Sequence, residues 1–211
     1  NNGGRLAVKS YSIVVGWQNM GSSLTTGIAS DISLQVYNGE AYVAFRDWSM
    51  NYRARVIKRD AIWGTWSALG ANPLTLADAN SISLVIEPDG SSIFASFRET
   101  NNFNRVSVMK YDGSGWSYYG LPEFSSDNCD LIALASYQGV PYAAYRDGGR
   151  GNSLTVARNK TDWGIVGYNI SSQQAEYISL DFDTVNKMPY VIFADESAGY
   201  KATVMRYTGS F

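Results

Sequence analysis

Nearly the same strand is written four times in this chain. GEAYVAFRD occupies residues 39–47, SSIFASFRE 91–99, GVPYAAYRD 139–147 and MPYVIFAD 188–195. The closing acids Asp47, Glu99, Asp147 and Asp195 are spaced by 52, 48 and 48 residues. A period of this size marks a repeat architecture, and it limits the fold before any local propensity does.

Three further segments keep step with the first. DISLQV (31–36), SISLVI (81–86), LIALAS (131–136) and YISLDF (177–182) precede it. RARVIKRD (53–60), NRVSVMKYD (104–112), LTVARNK (154–160) and ATVMRYT (202–208) come after it, and RLAVKSY (5–11) is a fifth copy of that kind. The last segment is Trp-x-x-x-Gly, at Trp17–Gly21, Trp66–Gly70, Trp116–Gly120 and Trp163–Gly167. Turn sequences such as Tyr37-Asn38-Gly39 and Pro88-Asp89-Gly90 lie between the segments, and no stretch carries a sustained helical period.

Four short strands in each repeat of about 48 residues is the arithmetic of a β-propeller blade. We therefore expect an all-β chain: a β-propeller of four-stranded antiparallel blades, with residues 1–211 as a single domain. A sheet such as Tyr42-Val43-Ala44-Phe45 is apolar on both faces, and it can bury both only between neighbouring blades. The small residues Ser33, Ser83, Ala133 and Ser179 should face the crowded axis. Each Trp should cover the gap to the next blade. The chain starts and ends in third strands, so Trp17–Gly21 could complete the last blade and close a small ring. The alternative is a part of a larger propeller, completed by an oligomer or by a larger parent chain.

The I-S-L, G-x-x-Y-V-A-[FY]-R-D, V-x-[KR] and W-x-x-x-G segments resemble the kelch-like, galactose-oxidase-type propeller repeats of secreted and surface proteins. That resemblance implies a propeller that binds glycans, binds proteins or carries an enzyme's site. The chain departs from the kelch pattern where Arg-Asp or a variant replaces the Gly-Gly pair after the second strand. It also lacks the Ser-x-Asp-x-Gly-x-x-Trp box of sialidase repeats and the Trp-Asp pair of WD40 repeats.

Composition removes several chemistries. There is no histidine, so the Ser-His-Asp triad and His metal sites are excluded, and the single Cys129 has no imidazole to activate it. There is no phosphate-binding Gly-rich loop. With 17 basic and 19 acidic residues and no basic stripe, nucleic acid is not an expected partner. No apolar run is long enough to span a membrane. Glu87-Pro88-Asp89-Gly90 and Asp181-Phe182-Asp183 give only weak calcium patterns, so no cofactor or metal is expected. The chain begins at Asn1 rather than Met, as it would after removal of an upstream segment or after trimming. The sequons Asn159-Lys160-Thr161 and Asn169-Ile170-Ser171 lean toward the extracellular space or cell surface.

The ends of the second strands are where a ligand face is expected, beside the loops joining strands two and three. The candidate ligand-binding residues are Arg46, Asp47, Trp48, Arg98, Glu99, Arg146, Asp147 and Asp195. The arginines could hold hydroxyls or carboxylates, and Trp48 with Tyr52 could stack on a sugar. The alternative is that each acid caps its own hairpin and pairs with an Arg, keeping the blades in register. Three functions are compatible with these residues. The first is a non-enzymatic, lectin-like carbohydrate-binding module, secreted or on the cell surface, with a glycan or protein ligand. The second is a structural or protein-interaction propeller in a larger extracellular assembly. The third is a glycosidase built on paired carboxylates.

Overall fold

The computed structural model describes residues 3–101 and 103–209; Asn1, Asn2, Asn102, Ser210 and Phe211 lie outside them. The described strands form five antiparallel sheets. A hairpin of β1 (Val8–Ser12) and β2 (Gly16–Gly21) comes first. The first blade holds β3 (Ala29–Tyr37), β4 (Glu40–Asp47), β5 (Arg53–Arg59) and β6 (Trp66–Ala68). The second holds β7 (Ala79–Ile86), β8 (Ile93–Glu99), β9 (Val106–Tyr111) and β10 (Trp116–Tyr118). The third holds β11 (Cys129–Tyr137), β12 (Val140–Asp147), β13 (Ser153–Asn159) and β14 (Trp163–Gly167). The fourth holds β15 (Ala175–Asp183), β16 (Met188–Asp195) and β17 (Lys201–Arg206). The expected all-β propeller, with one blade per repeat, is the observed architecture.

The expected closure of the ring by Trp17–Gly21 is not what the described strands show. Strand β2 pairs with β1, placing Trp17 opposite Tyr11, and β17 pairs with β16 alone. RLAVKSY is thus a true third strand with its own fourth strand, rather than a surplus copy. Among the described residues, no helix is long and apolar enough to cross a membrane.

The first strands β3, β7, β11 and β15 stand side by side at the axis. Each carries a bulge at the same place, between Ser30 and Ser33, Asn80 and Ser83, Asp130 and Ala133, and Glu176 and Ser179. One residue per bulge turns left-handed, namely Asp31, Ser81, Leu131 and Tyr177, with φ of 48°, 52°, 50° and 52°. The bulge bends the strand and re-aims the side chains beyond it. The small residues there join blades: Ser33 Oγ accepts from the Leu84 N–H at 3.0 Å, and Ser83 Oγ from the Leu134 N–H at 3.1 Å. Ala133 has no hydroxyl with which to continue the series.

The core is layered between the blades, as two-faced apolar sheets require. Val43 and Phe45 pack against Leu6 and Val8 of the hairpin side. Ala44 and Val56 meet Leu84 and Phe97 at the first joint between blades. Phe94 and Val108 meet Leu134 and Tyr145 at the second, and Val156 and Leu154 meet Leu180 and Phe193 at the third. Phe45, Phe94, Phe97 and Phe193 are completely buried or nearly so, each contributing about 2–3 kcal/mol.

The Trp residues seal joints with the preceding blade, not the next one as expected. The indole N–H of Trp66 donates to the Met20 carbonyl at 2.9 Å, that of Trp116 to Leu69 at 2.6 Å, and that of Trp163 to Tyr119 at 2.8 Å. Each acceptor directly precedes the glycine of the W-x-x-x-G segment one blade back. A Cβ on Gly21 would lie 2.7 Å from the Trp66 indole, and on Gly70 2.7 Å from Trp116. Close approach of the next blade's indole is therefore what the glycine serves, since Gly21 needs no left-handed backbone.

Candidate functional site

The second strands end in a tight turn that explains the recurring acids. Asp47, Asp147 and Asp195 each precede a single 3-10 turn, and each carboxylate accepts the N–H two residues on, from Ser49, Gly149 and Ser197. The turns end in left-handed Asn51, Gly151 and Gly199. Glu99 closes the corresponding strand of the second blade. Its longer side chain reaches the inter-blade loop and accepts from the Leu76 and Ala77 N–H groups, both at 3.2 Å. All four acids are buried.

Asp47 is the most heavily bonded of them. It accepts from Ser49 N and Oγ at 2.9 and 2.6 Å and pairs with Arg55 at 2.6 Å. Burial alone would raise its pKa. The Ser49 and Arg55 hydrogen bonds outweigh burial and hold the carboxyl below its usual range. Asp147 receives Thr155 Oγ1 at 3.1 Å and faces Arg150 Nε at 3.3 Å.

The neighbouring arginines cross from blade to blade. Arg46 forks onto Asp78 at 2.7 Å, in the loop leading to the second blade. Arg98 bonds Asn80 on its own β7 and the Cys129 carbonyl of the third blade at 2.8 Å. Arg146 joins Asp130 on β11 to Glu176 on β15, both at 2.5 Å. The hydrogen bond to Asp130 is the main reason the Arg146 pKa rises, with Glu176 adding to it. Trp48 and Tyr52 form an exposed aromatic pair with centroids 5.3 Å apart, and Arg46 lies 4.8 Å over the Tyr52 ring.

A polar hollow of about 360 Å³ opens at this same end, between the third and fourth blades. Arg150 and Ser153 line it from the third blade, Asn169 and Gln174 from the connecting loop, and Glu196 from the fourth blade's turn. Of the sequence-predicted residues, Arg146, Asp147 and Asp195 bond to its lining or to the neighbours of its lining. Arg146 holds Glu176, whose Oε1 also takes the Gln174 side-chain amide at 2.5 Å. Asp147 faces Arg150, and Asp195 caps the turn that carries Glu196. Asn169 Oδ1 accepts from Ser153 Oγ at 2.9 Å, and Arg150 lies 4.5 Å over the Tyr168 ring. The hollow thus mixes a guanidinium, a carboxylate, amides and hydroxyls, a set suited to neutral polyhydroxyl ligands.

One recurring element was missed by the sequence reading. Thr25, Thr75, Ser125 and Ser171 are buried in successive inter-blade loops. Their hydroxyls accept from the N–H groups of Leu6, Ala54, Val106 and Leu154 and donate to the carbonyl two residues on. They fix the loop that brings Ser171 and Asn169 to the hollow. The signal was present: a Leu, Phe or Ile followed by Thr or Ser, eight or nine residues after each Trp of the W-x-x-x-G segments.

Other sequence features resolve simply. Asn159 of the first sequon is 3% exposed and donates to the Tyr119 carbonyl at 3.3 Å, so it is not presented to a glycosylating enzyme in the folded chain. Burial pushes the Cys129 thiol up to about 12. The acids of the weak calcium patterns are hydrogen-bonded: Glu87 takes the Gly139 N–H, Asp181 the Phe182 N–H, and Asp183 the Val185 and Asn186 N–H groups. Among the described residues, no cluster of three or more potential ligands is arranged for a metal ion.

No family model matches the chain, and no curated protein matches its sequence. Solved β-propellers do. The fucose-specific lectin from Aleuria aurantia is 16% identical with a TM-score of 0.59, covering 85% of this chain and 62% of its own. The SapL1 lectin, in complex with α-methyl fucoside, is 12% identical with a TM-score of 0.64, covering 87% and 60%. An endo-1,4-β-xylanase from Bacteroides thetaiotaomicron is 14% identical with a TM-score of 0.55, covering 92% and 76%. At these identities the likeness is one of fold. The chain spans about three fifths of the length of the two lectins.

Proposed function

We propose that this protein is a lectin-like, carbohydrate-binding propeller, secreted or displayed at a cell surface, and not an enzyme. The observation that carries the reading is the hollow between the third and fourth blades, where Arg150, Ser153, Asn169, Gln174 and Glu196 converge on a space of about 360 Å³. A sugar offers dense hydroxyls and an apolar ring face. Arg150 and Glu196 would grip the hydroxyls, and Tyr168, exposed beside Arg150, would border the ring. Of the predicted ligand residues, Arg146, Asp147 and Asp195 hold this lining in place. Arg46 and Trp48 would make a second sugar platform with Tyr52 at the first joint, and two weak sites on one chain would add avidity. Arg98, Glu99 and Asp47 serve the joints that space those sites.

The lectin neighbours support glycan as the ligand class and make fucosides the first to try. Glycoside hydrolases share the fold as well, but hydrolysis uses two facing carboxylates. The hollow presents one, Glu196, while Asp147 and Asp195 are buried behind it. The kelch-like kinship suggested by the repeat segments rests on those segments alone. The test is calorimetry or a glycan array with wild type against Arg150→Ala and Glu196→Gln. Sugar binding that both variants weaken at least tenfold is the expected result.

A further inference from the structure

A second hollow, of about 200 Å³, lies at the opposite end of the same joint, where the first strands turn into the second. Tyr137, Gln138, Val140, Tyr142 and Lys160 line it from the third blade, and Lys187 lines it from the β15–β16 turn of the fourth.

The counterpart place at the first joint is built from the same positions with different residues. The first blade carries Tyr37, Glu40, Tyr42, Lys58 and Asp60 where the third carries Tyr137, Val140, Tyr142, Arg158 and Lys160. At the first joint the Tyr37 hydroxyl donates to the Asp89 carbonyl at 2.8 Å. Its ring lies so near the turn of the second blade that a Cβ on Gly90 would collide with it. Glu40 pairs with Lys58 at 2.8 Å and accepts from the Tyr42 hydroxyl at 2.8 Å. That place is closed by a ring, and its cation is neutralised.

Both features are gone at the third joint. Asn186 stands in the register of Gly90, and Lys187 in that of Ser91. Tyr137 does not lie across the turn; it stacks flat on Phe182 with centroids 4.5 Å apart, and Tyr142 lies 5.1 Å from the same ring. The hollow opens beside this aromatic group. Val140 offers no carboxylate to Arg158, whose Nη1 donates to the Tyr142 hydroxyl at 3.4 Å. Lys160 reverses the charge of Asp60. Among the described residues, Lys160 and Lys187 form no ion pair, and the Tyr137 hydroxyl has no protein partner. The acids nearest by register are engaged elsewhere. Glu87 takes the Gly139 N–H at 2.9 Å, and Asp183 takes the Val185 and Asn186 N–H groups of its own turn at 2.9 and 3.0 Å.

We propose that this hollow binds an oxyanion, the carboxylate, sulfate or phosphate group of a small ligand. Lys160 and Lys187 would hold the charge from the third and fourth blades, while the Tyr137 hydroxyl and the Gln138 amide donate to its oxygens. Lysine ammonium groups recognise charge rather than a planar fork, so the three groups share one chemistry here. The tyrosine rings would carry the apolar part of the molecule that bears the anion. The site is independent of the glycan reading, which concerns the other end of the blades and neutral hydroxyls.

Two-dimensional amide NMR of the full chain tests this by titration with inorganic sulfate, inorganic phosphate and glucuronate at constant ionic strength, with chloride as the control. At least one of the three should give saturable shifts centred on Gln138, Gly139, Lys160 and Lys187, and the tightest identifies the source of the group. Lys160→Gln and Lys187→Gln should each weaken that binding at least fivefold. Val140→Glu, which restores the acid that Glu40 supplies in the first blade, should abolish it. Lys9→Gln, an exposed lysine at the other side of the chain, should leave it unchanged. The dispersion of the same spectra reports that each variant is folded. Shifts that do not saturate with any of the three, shifts centred on Ser153 and Gln174, binding that survives both lysine substitutions, or an equal loss in Lys9→Gln would overturn the proposal.

Discussion

The indole of Trp116 reaches back one blade to the Leu69 carbonyl, 2.6 Å away, and lies against Gly70 as it does so. That one contact ties an outer strand to its neighbour and explains why tryptophan and glycine recur together. Removing the hydrogen bond while keeping an aromatic, Trp116→Phe, should cost about 1 kcal/mol. Gly70→Ala should cost about 1–3 kcal/mol, since its φ is 73° and the new methyl meets the indole. Urea unfolding of the two variants checks both values, and a neutral Gly70→Ala would count against the close approach as the glycine's role.

Asp47 provides a pH test. Its folded carboxyl is held below the usual range, so its stabilisation is present above the unfolded value of about 4 and is lost as pH falls through the lower folded value. Asp47→Ala should lose about 3 kcal/mol at neutral pH, because Arg55 and the Ser49 N–H lose a buried partner. The gap between wild type and variant, measured by urea titration, should narrow in strong acid. A gap that stays constant with pH would show that the charge of Asp47 plays no part.

The buried hydroxyls of the inter-blade loops should be intolerant in one direction only. Thr75→Val keeps the shape but leaves the Ala54 N–H without an acceptor, for a loss of about 1–3 kcal/mol. Thr75→Ser keeps the bond and should be close to wild type. Equal effects from the two substitutions would assign the position to packing rather than to its hydrogen bonds.

Much of this fold was readable because a period of about 48 residues repeats strand, turn and glycine together, and a two-faced apolar sheet has few ways to bury itself. Closure was not readable. Whether β2 pairs with β1 or with β17 depends on a choice between two third strands of similar sequence, RLAVKSY and ATVMRYT, and local pattern does not separate them. The candidate hollow was legible only in part. Arg146 and Asp147 lie near it, yet their side chains are committed to Asp130, Glu176 and Thr155. The residues that face the hollow, Arg150 and Glu196, come just after the repeated motif and vary between blades, so repetition could not reveal them.

Cys129 should be silent in the native protein. Its thiol, buried and shifted up to about 12, should resist thiol reagents at mildly alkaline pH and react fully once guanidinium unfolds the chain. Prompt labelling of the native protein would mean that the second and third blades separate readily.

Glycan binding by the hollow between the third and fourth blades is the central claim, and titration calorimetry of the full chain with a panel of monosaccharides and fucosides tests it most directly. The predicted result is saturable binding to wild type that Glu196→Gln and Arg150→Ala each weaken at least tenfold at a temperature where circular dichroism shows both variants folded. Wild type that binds none of the sugars, or variants that bind as tightly as wild type, would contradict it.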